Sequence, residues 1–340
     1  MAIAQGVFWI LVTMAGIMVA CEAFTNSIEW LGKKLNLSEG AVGSVLAAIG
    51  TALPETIIPI IAIASAWKTG KPEGTEIGMG AIVGAPFMLS TLALFVTGAA
   101  ITVFVRQGRR TEHVRIDPVV MKRDLRFFLI AYAIAILSSF IPSHSIKIVM
   151  GLLLLVAYGY YVHMTLQHPG ELGEDMEPLY FARAKEEPSF FLVVAQVAAS
   201  LGGILLGSHF FVGEVRQLSQ LINMSPLILS LVITPIATEL PEKFNSVLWV
   251  RARKDTLALG NITGAMVFQS CIPTAVGLVG TPWIMAPATF LSAAIALISA
   301  GLLYFEVNRR NGVTPLTLMV GGIFYSAFLI GIFGFHLKGN

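Results

Sequence analysis

Gly50-Thr51-Ala52-Leu53-Pro54-Glu55 decides how this chain is read, because it recurs as Ala237-Thr238-Glu239-Leu240-Pro241-Glu242. Each copy sets a proline and a carboxylate inside a long apolar run. Proline in a helix interior removes a ladder hydrogen bond and costs about 3 kcal/mol. A carboxylate at bilayer depth costs roughly 2.5–3.5 kcal/mol on insertion scales. A chain that carries both penalties twice, at corresponding places, is using them.

The recurrence extends well beyond the six residues. Aligned on Glu55 and Glu242 without a gap, Asn36 meets Asn223, Ser38 meets Ser225, Phe24 meets Phe211 and Glu22 meets His209. Downstream, a single gap brings Gly80 onto Gly260, Gly84 onto Gly264 and Ala85 onto Ala265. Shared hydrophobicity does not produce matched polar and glycine positions over such a length, so this is an internal repeat.

Composition sets the environment. The 340 residues are 56% hydrophobic and only 12% charged, with a mean hydropathy of +0.78. That is too little charge to cover a soluble surface, and it predicts an all-α integral membrane protein. A net charge of +2 with no basic arm argues against nucleic acid as a partner. Cys21 and Cys271 lie in apolar runs without metal-ligand spacing and read as small buried hydrophobes. The N-terminus lacks a basic n-region and a cleavage site, and so reads as a retained first span.

About ten apolar runs reach spanning length. They fall near 5–31, 40–67, 77–105, 126–141, 144–166, 189–221, 226–250, 256–279, 282–305 and 313–336. The short alternating strands of a membrane β-barrel are not seen. Lys and Arg concentrate in alternate gaps, at 33–34, 106–126, 183–185, 251–254 and 309–310. The positive-inside rule then places both termini outside, in a multi-pass plasma (cytoplasmic, or cell inner) membrane protein. The basic stretch 106–126 reads as an orientation anchor near anionic lipid. Residues 168–188, with six acids against two bases, read as a solvated acidic cytoplasmic linker, or as a regulatory cation site without an EF-hand pattern. The expected units are a first repeat over 1–167, with its signature at 50–55 and 78–88, and a second over 189–340, with its signature at 237–242 and 257–269. Five spans per half is an odd number, so the second copy enters the membrane from the opposite side. Inverted repeats with broken helices near the midplane are the architecture of secondary transporters, whose site lies at the repeat interface.

The chemistry expected there is that of a hard cation. Glu55 and Glu242 offer carboxylate oxygens, Thr51 and Thr238 offer hydroxyls or carbonyls, and a broken helix frees backbone carbonyls. Calcium takes about 6–8 such oxygens in flexible geometry. The plainer alternative is a pair of neutral buried acids used in helix packing. Glu239 lies three residues before Glu242 with Pro235 and Pro241 around it. If the helix unwinds there, a third acid faces the cavity and a cation or proton must be shared. Otherwise Glu239 faces a solvent vestibule or pairs with Lys243. In the glycine-rich segments 78–87 and 257–268, which suit close helix approach, and just beyond them, Asn261, Thr263, Gln269, Ser270, Ser90 and Thr91 are polar. Asn261 and Gln269 are secondary candidates for the cavity. The aligned Glu22 and His209 read either as a proton relay or as separate interhelical contacts.

These residues carry a resemblance. GTALPE and ATELPE, each followed by a G-x-x-x-G segment (Gly80/Gly84 and Gly260/Gly264), resemble the paired alpha repeats of the cation/calcium exchanger superfamily, in particular its sodium/calcium exchanger membrane region. The resemblance implies ten helices and antiport of a divalent cation, Ca2+ first, against Na+ or H+ by alternating access. It implies no cofactor and no enzyme activity, and no metalloprotease or nucleophile–base signature is present. The chain departs from the family pattern where Ala52 and Glu239 replace serines. It departs again where Gly84-Ala85-Pro86 and Gly264-Ala265-Met266 replace segments bearing hydroxyl and amide or acid groups. Met266 offers a soft thioether that a hard cation ignores. Fewer hard oxygens and an added carboxylate point to a single cation site with proton or altered ion coupling. Two other readings stay open: a monovalent cation/proton antiporter, and a non-transporting cation sensor or scaffold. Neither the oligomeric state nor any regulation by 168–188 is legible.

Overall fold

A computed structural model describes residues 2–35, 53–166, 177–184 and 187–334. Among them every regular element is helical: α1 (Ala2–Lys34), α2 (Leu53–Thr69), α3 (Glu73–Met88), a π turn (Leu89–Ala93), α4 (Leu94–Arg106), α5 (Pro118–Ser138), α6 (His144–Leu166), a 3-10 turn (Tyr180–Ala182), α7 (Phe190–Leu221), α8 (Pro226–Arg251), α9 (Asp255–Gly280), α10 (Pro287–Arg310) and α11 (Pro315–Gly334). Proline supplies the first residue of α5, α8, α10 and α11, where its missing N–H costs nothing. Asp117 caps α5, its carboxylate accepting from the backbone N–H of Val119 (2.8 Å) and Val120 (3.2 Å). Asn311 ends α10 in the left-handed region at φ 50°.

Seven helices among the described residues are long and apolar enough to cross a membrane, with α3, the π turn and α4 counted as one. Of the ten runs expected, α2, α5 and α8 are the three that fall short. The run containing α2 begins outside the described residues. α5 opens with Lys122, Arg123, Asp124 and Arg126, and the second half of α8 carries Glu239, Glu242, Lys243 and Arg251. The outward faces are what lipid requires: Phe8, Val19, Val156, Leu206, Phe305 and Ile323 are all exposed.

The helix breaks are not where the sequence suggested. α8 runs unbroken through the second LPE stretch, whereas unwinding was expected. A proline deletes one donor and leaves the neighbouring ladder bonds in place, so Pro235 and Pro241 can be carried inside a packed helix. The first LPE stretch opens the described part of α2, and residues 50–52 lie outside the described residues. The ladder is interrupted elsewhere. At Leu89–Ala93 the helix widens to π geometry, and the hydroxyls of Ser90 and Thr91 donate back to the carbonyls of Pro86 (2.8 Å) and Phe87 (2.5 Å). In α9, Pro273 supplies no N–H to the Gln269 carbonyl, and Thr274 Oγ1 donates to it instead at 3.0 Å. The repeat alignment that pairs Gly84 with Gly264 also pairs residue 93 with 273, so the two interruptions occupy corresponding positions.

Small residues set the packing. α1 and α7 lie antiparallel, with Gly203 against Ala20 and Gly207 against Ile17. α3 sits on α8 through Gly80 and Gly84. A methyl added at Gly84 would stand 2.3 Å from the Leu231 carbonyl oxygen and 2.8 Å from Pro235 Cγ.

Polar contacts gather at the two ends. At one end Lys34 meets Glu187 (3.6 Å), Lys122 donates to Asn311 (2.7 Å), and Arg110 grips Asp255. Arg110 and Asp255 are both buried and bidentate, at 2.6 and 2.7 Å, and Arg110 also donates to the Val250 carbonyl. Arg110 is therefore a structural clasp and not part of a lipid-facing anchor, which corrects that reading of 106–126 at this position. The end of the acidic linker is docked rather than solvated. Leu179 is fully buried, Trp30 Nε1 donates to the Glu177 carbonyl (3.0 Å), and Gln196 ties α7 to Ala23, Asn26 and the Phe181 N–H.

Candidate functional site

Glu55 is 4% exposed in α2 and Glu239 is 1% exposed in α8. Packing contacts fix their depth. α2 and α3 are antiparallel, with Gly74 against Ala62 and Ala66, and Gly78 against Pro59 and Ile63. One further turn brings Glu55 level with the Ile82–Pro86 stretch of α3. α8 runs along the same helix, with Gly80 against Leu227 and Ser230, and Gly84 against Leu231 and Pro235. The next turn of α8 brings Thr238 and Glu239 to the end of α3 and the π turn. α2 and α9 run parallel, because Gly280 meets Ile63 and accepts from Trp67 Nε1 at 3.0 Å. Counting back equally from Trp67 and Gly280 gives Glu55 and Phe268, so Gln269 lies at the same depth.

Gln269 is 2% exposed, and its Oε1 has no hydrogen-bond partner among the described residues. A buried amide oxygen left in that state costs about 1–3 kcal/mol, a cost that a bound cation would remove. Pro59 supplies no N–H to the Glu55 carbonyl, and Pro241 supplies none to the Ala237 carbonyl.

Thr238 is 7% exposed and donates to the Thr234 carbonyl at 3.1 Å. Thr234 Oγ1 is 2.9 Å from Ser230 Oγ, which donates to the Ile77 carbonyl at 2.7 Å. Ser230, Thr234 and Thr238 thus form a buried hydroxyl stripe at four-residue spacing, climbing α8 towards Glu239. Sequence reasoning missed this stripe, although its spacing is plain in the primary structure. The repeat places Gly43 and Ala47 opposite Ser230 and Thr234, so the stripe belongs to one half only.

The other candidates separate into distinct groups. Glu242 lies on the helical backbone of α8, and its side chain, like that of Lys243, is outside what is described; Thr51 is outside the described residues altogether. Asn261 is half-buried in α9, two turns nearer the Arg110 end than Gln269. Glu22 and His209 are not brought together. The α1–α7 register sets Glu22 near Leu201, and His209 lies roughly 10 Å further along the pair. Both are exposed; Glu22 accepts from the Tyr180 hydroxyl at 2.9 Å, and His209 stacks edge-on against Phe210. The relay reading is therefore corrected. Partial burial and the Glu22 and Glu177 carboxylates hold the Tyr180 phenol above its ordinary range, so it stays a donor.

Another buried carboxylate escaped the sequence reading. Asp124, 2% exposed, accepts from Thr263 Oγ1 (2.9 Å), the Tyr161 hydroxyl (3.1 Å) and Arg123 Nη2 (3.1 Å). With every oxygen served and a cation beside it, Asp124 joins α5, α6 and α9 as a structural node. Among the described residues no three His, Cys, Asp or Glu side chains gather as a metal cage.

Residues 5–167 and 192–336 match the profile of the family described as "Sodium/calcium exchanger protein". The chain belongs to the sodium/calcium exchanger family. This exchanger is 22% identical over 331 residues to the putative antiporter CaxA of Alkalimonas amylolytica, covering 94% of this chain and 97% of CaxA. It is 24% identical over 350 residues to the sodium/calcium exchanger MaX1 of Methanosarcina acetivorans, covering 92% and 94% respectively. Its fold is similar to the crystal structure of the H+/Ca2+ exchanger CAX (TM-score 0.76, 13% identity, 96% of this chain and 81% of that one). It is also similar to the sodium–calcium exchanger NCX_Mj soaked with Na+ and Sr2+ (TM-score 0.57, 19% identity, 97% and 98%).

Proposed function

We propose that this exchanger is a secondary active antiporter that moves Ca2+, or another cation, against H+ or Na+ by alternating access. The observation that carries this reading is the burial of Glu55, Glu239 and the unpartnered Gln269 oxygen within about two helical turns of one another along the bundle, on helices that carry the repeated motifs. Glu242, Thr51 and Thr238 complete the proposed ligand set. Ten spans, arranged as two inverted five-helix repeats over 1–167 and 189–340, give the site its two-sided access. The matched interruptions at the π turn and at Pro273 support that symmetry. Charge placement supports a topology with both termini outside and the Arg110–Asp255 end in the cytoplasm. The activities named for the relatives, sodium/calcium and H+/Ca2+ exchange, support the choice of cargo and counter-ions.

Proton coupling rests on Glu239. Three carboxylates around one cation repel one another unless a proton or second cation is shared. Ala52 and Glu239, standing where the family carries serines, leave fewer neutral ligands for Na+. The test is flux. Purified protein in liposomes loaded with a Ca2+ dye should show Ca2+ movement driven by an imposed pH or Na+ gradient. No flux of Ca2+, Na+ or Mn2+ under either gradient would reject antiport and favour a sensor or scaffold.

A further inference from the structure

At the end opposite the Arg110 clasp, the last turn of α2, the α5–α6 connection and the α9–α10 connection enclose a cavity of about 580 Å³. Its rim and walls are apolar or aromatic: Trp67, Phe140 and Ile284 are 69%, 66% and 71% exposed, respectively. Its polar groups are the buried Lys147 and Thr281, the half-buried Ser139 and the exposed His144, with His144 and Lys147 in the first turn of α6. No lining residue is acidic.

Lys147 is 4% exposed. Its ammonium donates to the carbonyls of Pro282 (2.5 Å) and Trp283 (3.3 Å), and it makes no ion pair among the described residues. Two neutral carbonyls satisfy two of its three donors and leave its charge unmatched. Its place in the first turn of a helix adds to the mismatch, since the positive end of the helix dipole disfavours a cation there. A buried cation without a counter-charge is expensive, so the cavity is complementary to an anion. The apolar rim, at the level where tryptophan marks the membrane interface, makes that anion an amphiphile.

We propose that this cavity binds the phosphate of an anionic phospholipid from the outer leaflet, with Lys147 and His144 holding the headgroup while the acyl chains lie along Trp67, Phe140 and Ile284. The site is independent of the cation reading and takes only its leaflet from the proposed topology. Its physical consequence is local, because the cavity joins the outer ends of α2 and α9 where Trp67 Nε1 donates to the Gly280 carbonyl.

Native mass spectrometry of the full chain, released from micelles doped with phosphatidylglycerol or phosphatidylcholine, tests the proposal. Wild type should retain phosphatidylglycerol in preference to phosphatidylcholine. The double variant Lys147→Gln/His144→Gln keeps a donor for the Pro282 carbonyl and should lose that retention by roughly tenfold, the effect of removing charge-assisted contacts. Because a change at Lys147 can loosen the Pro282–Trp283 turn, Ile284→Glu on the exposed rim gives a second reading and should weaken retention through repulsion alone. Equal retention of the two lipids by wild type, or undiminished phosphatidylglycerol on both variants, would overturn the site. So would displacement of bound lipid by millimolar inorganic phosphate, since the cavity would then hold a free anion.

Discussion

Glu55, Glu239 and Gln269 are the three buried side chains on which the proposed cation site rests, and each makes a separable prediction. Glu55→Gln and Glu242→Gln should each abolish cation flux in liposomes while leaving the thermal melt of the detergent-solubilised protein close to wild type. Gln269→Leu removes the buried oxygen that lacks a hydrogen-bond partner. It should stabilise the empty protein or leave it unchanged, yet weaken cation affinity by roughly tenfold, the usual worth of one hydrogen bond or ligand contact to a charge. A simple packing residue would show the reverse, with lost stability and unchanged affinity. Glu239→Ser should flatten the pH dependence of flux, and an unchanged profile would place Glu239 outside the coupling. The two LPE glutamates were legible as candidates from the repeat alone, because a carboxylate within an apolar run of spanning length is too costly to sit there idle. Asp124 was not, because its neighbours Arg123 and Arg126 make it read as one more charge in a cytoplasmic cluster.

At the scale of elements, the sequence located the helices well and their irregularities badly. Apolar runs and flanking charges placed the ends of α7, α8 and α9 to within one residue, and those of α10 five residues too early. Proline was taken as the mark of a break, yet α8 stays helical through Pro235 and Pro241, whereas the π turn at Leu89–Ala93 contains no proline at all. At the π turn the hydroxyls of Ser90 and Thr91 reach back to the Pro86 and Phe87 carbonyls, a local pattern that ordinary helices also show and that marks no break in the sequence. The G-x-x-x-G expectation held for one copy only: Gly80 and Gly84 are where α3 meets the backbone of α8, whereas Gly260 has open space beside it and Gly264 meets only the Tyr161 hydroxyl. Gly84→Ala would force the Leu231 carbonyl and Pro235 apart and should cost about 1–3 kcal/mol in a denaturation experiment, with Gly301→Ala, which has open space, as the silent control.

Across the whole molecule, polar contacts at the two ends frame an apolar middle that holds a few buried polar groups. Cysteines introduced singly at Asn311 and Ile284 in a cysteine-free background should be labelled by an impermeant maleimide from opposite sides of the membrane. Labelling from the same side would refute the topology. Arg110→Met leaves Asp255 buried and unpaired and should destabilise by roughly 3–5 kcal/mol, whereas Arg110→Met combined with Asp255→Leu should regain most of the loss. That pairing spans 145 positions, which is why no local pattern announced it. The same separation bears on how the protein is made. At about 5–20 residues per second, Arg110 leaves the ribosome on the order of ten seconds before Asp255. Through that interval the nascent first half carries an arginine whose carboxylate partner has not yet been synthesised. Its loop must wait in water, and the two halves are joined by a bond that the earlier one cannot rehearse alone.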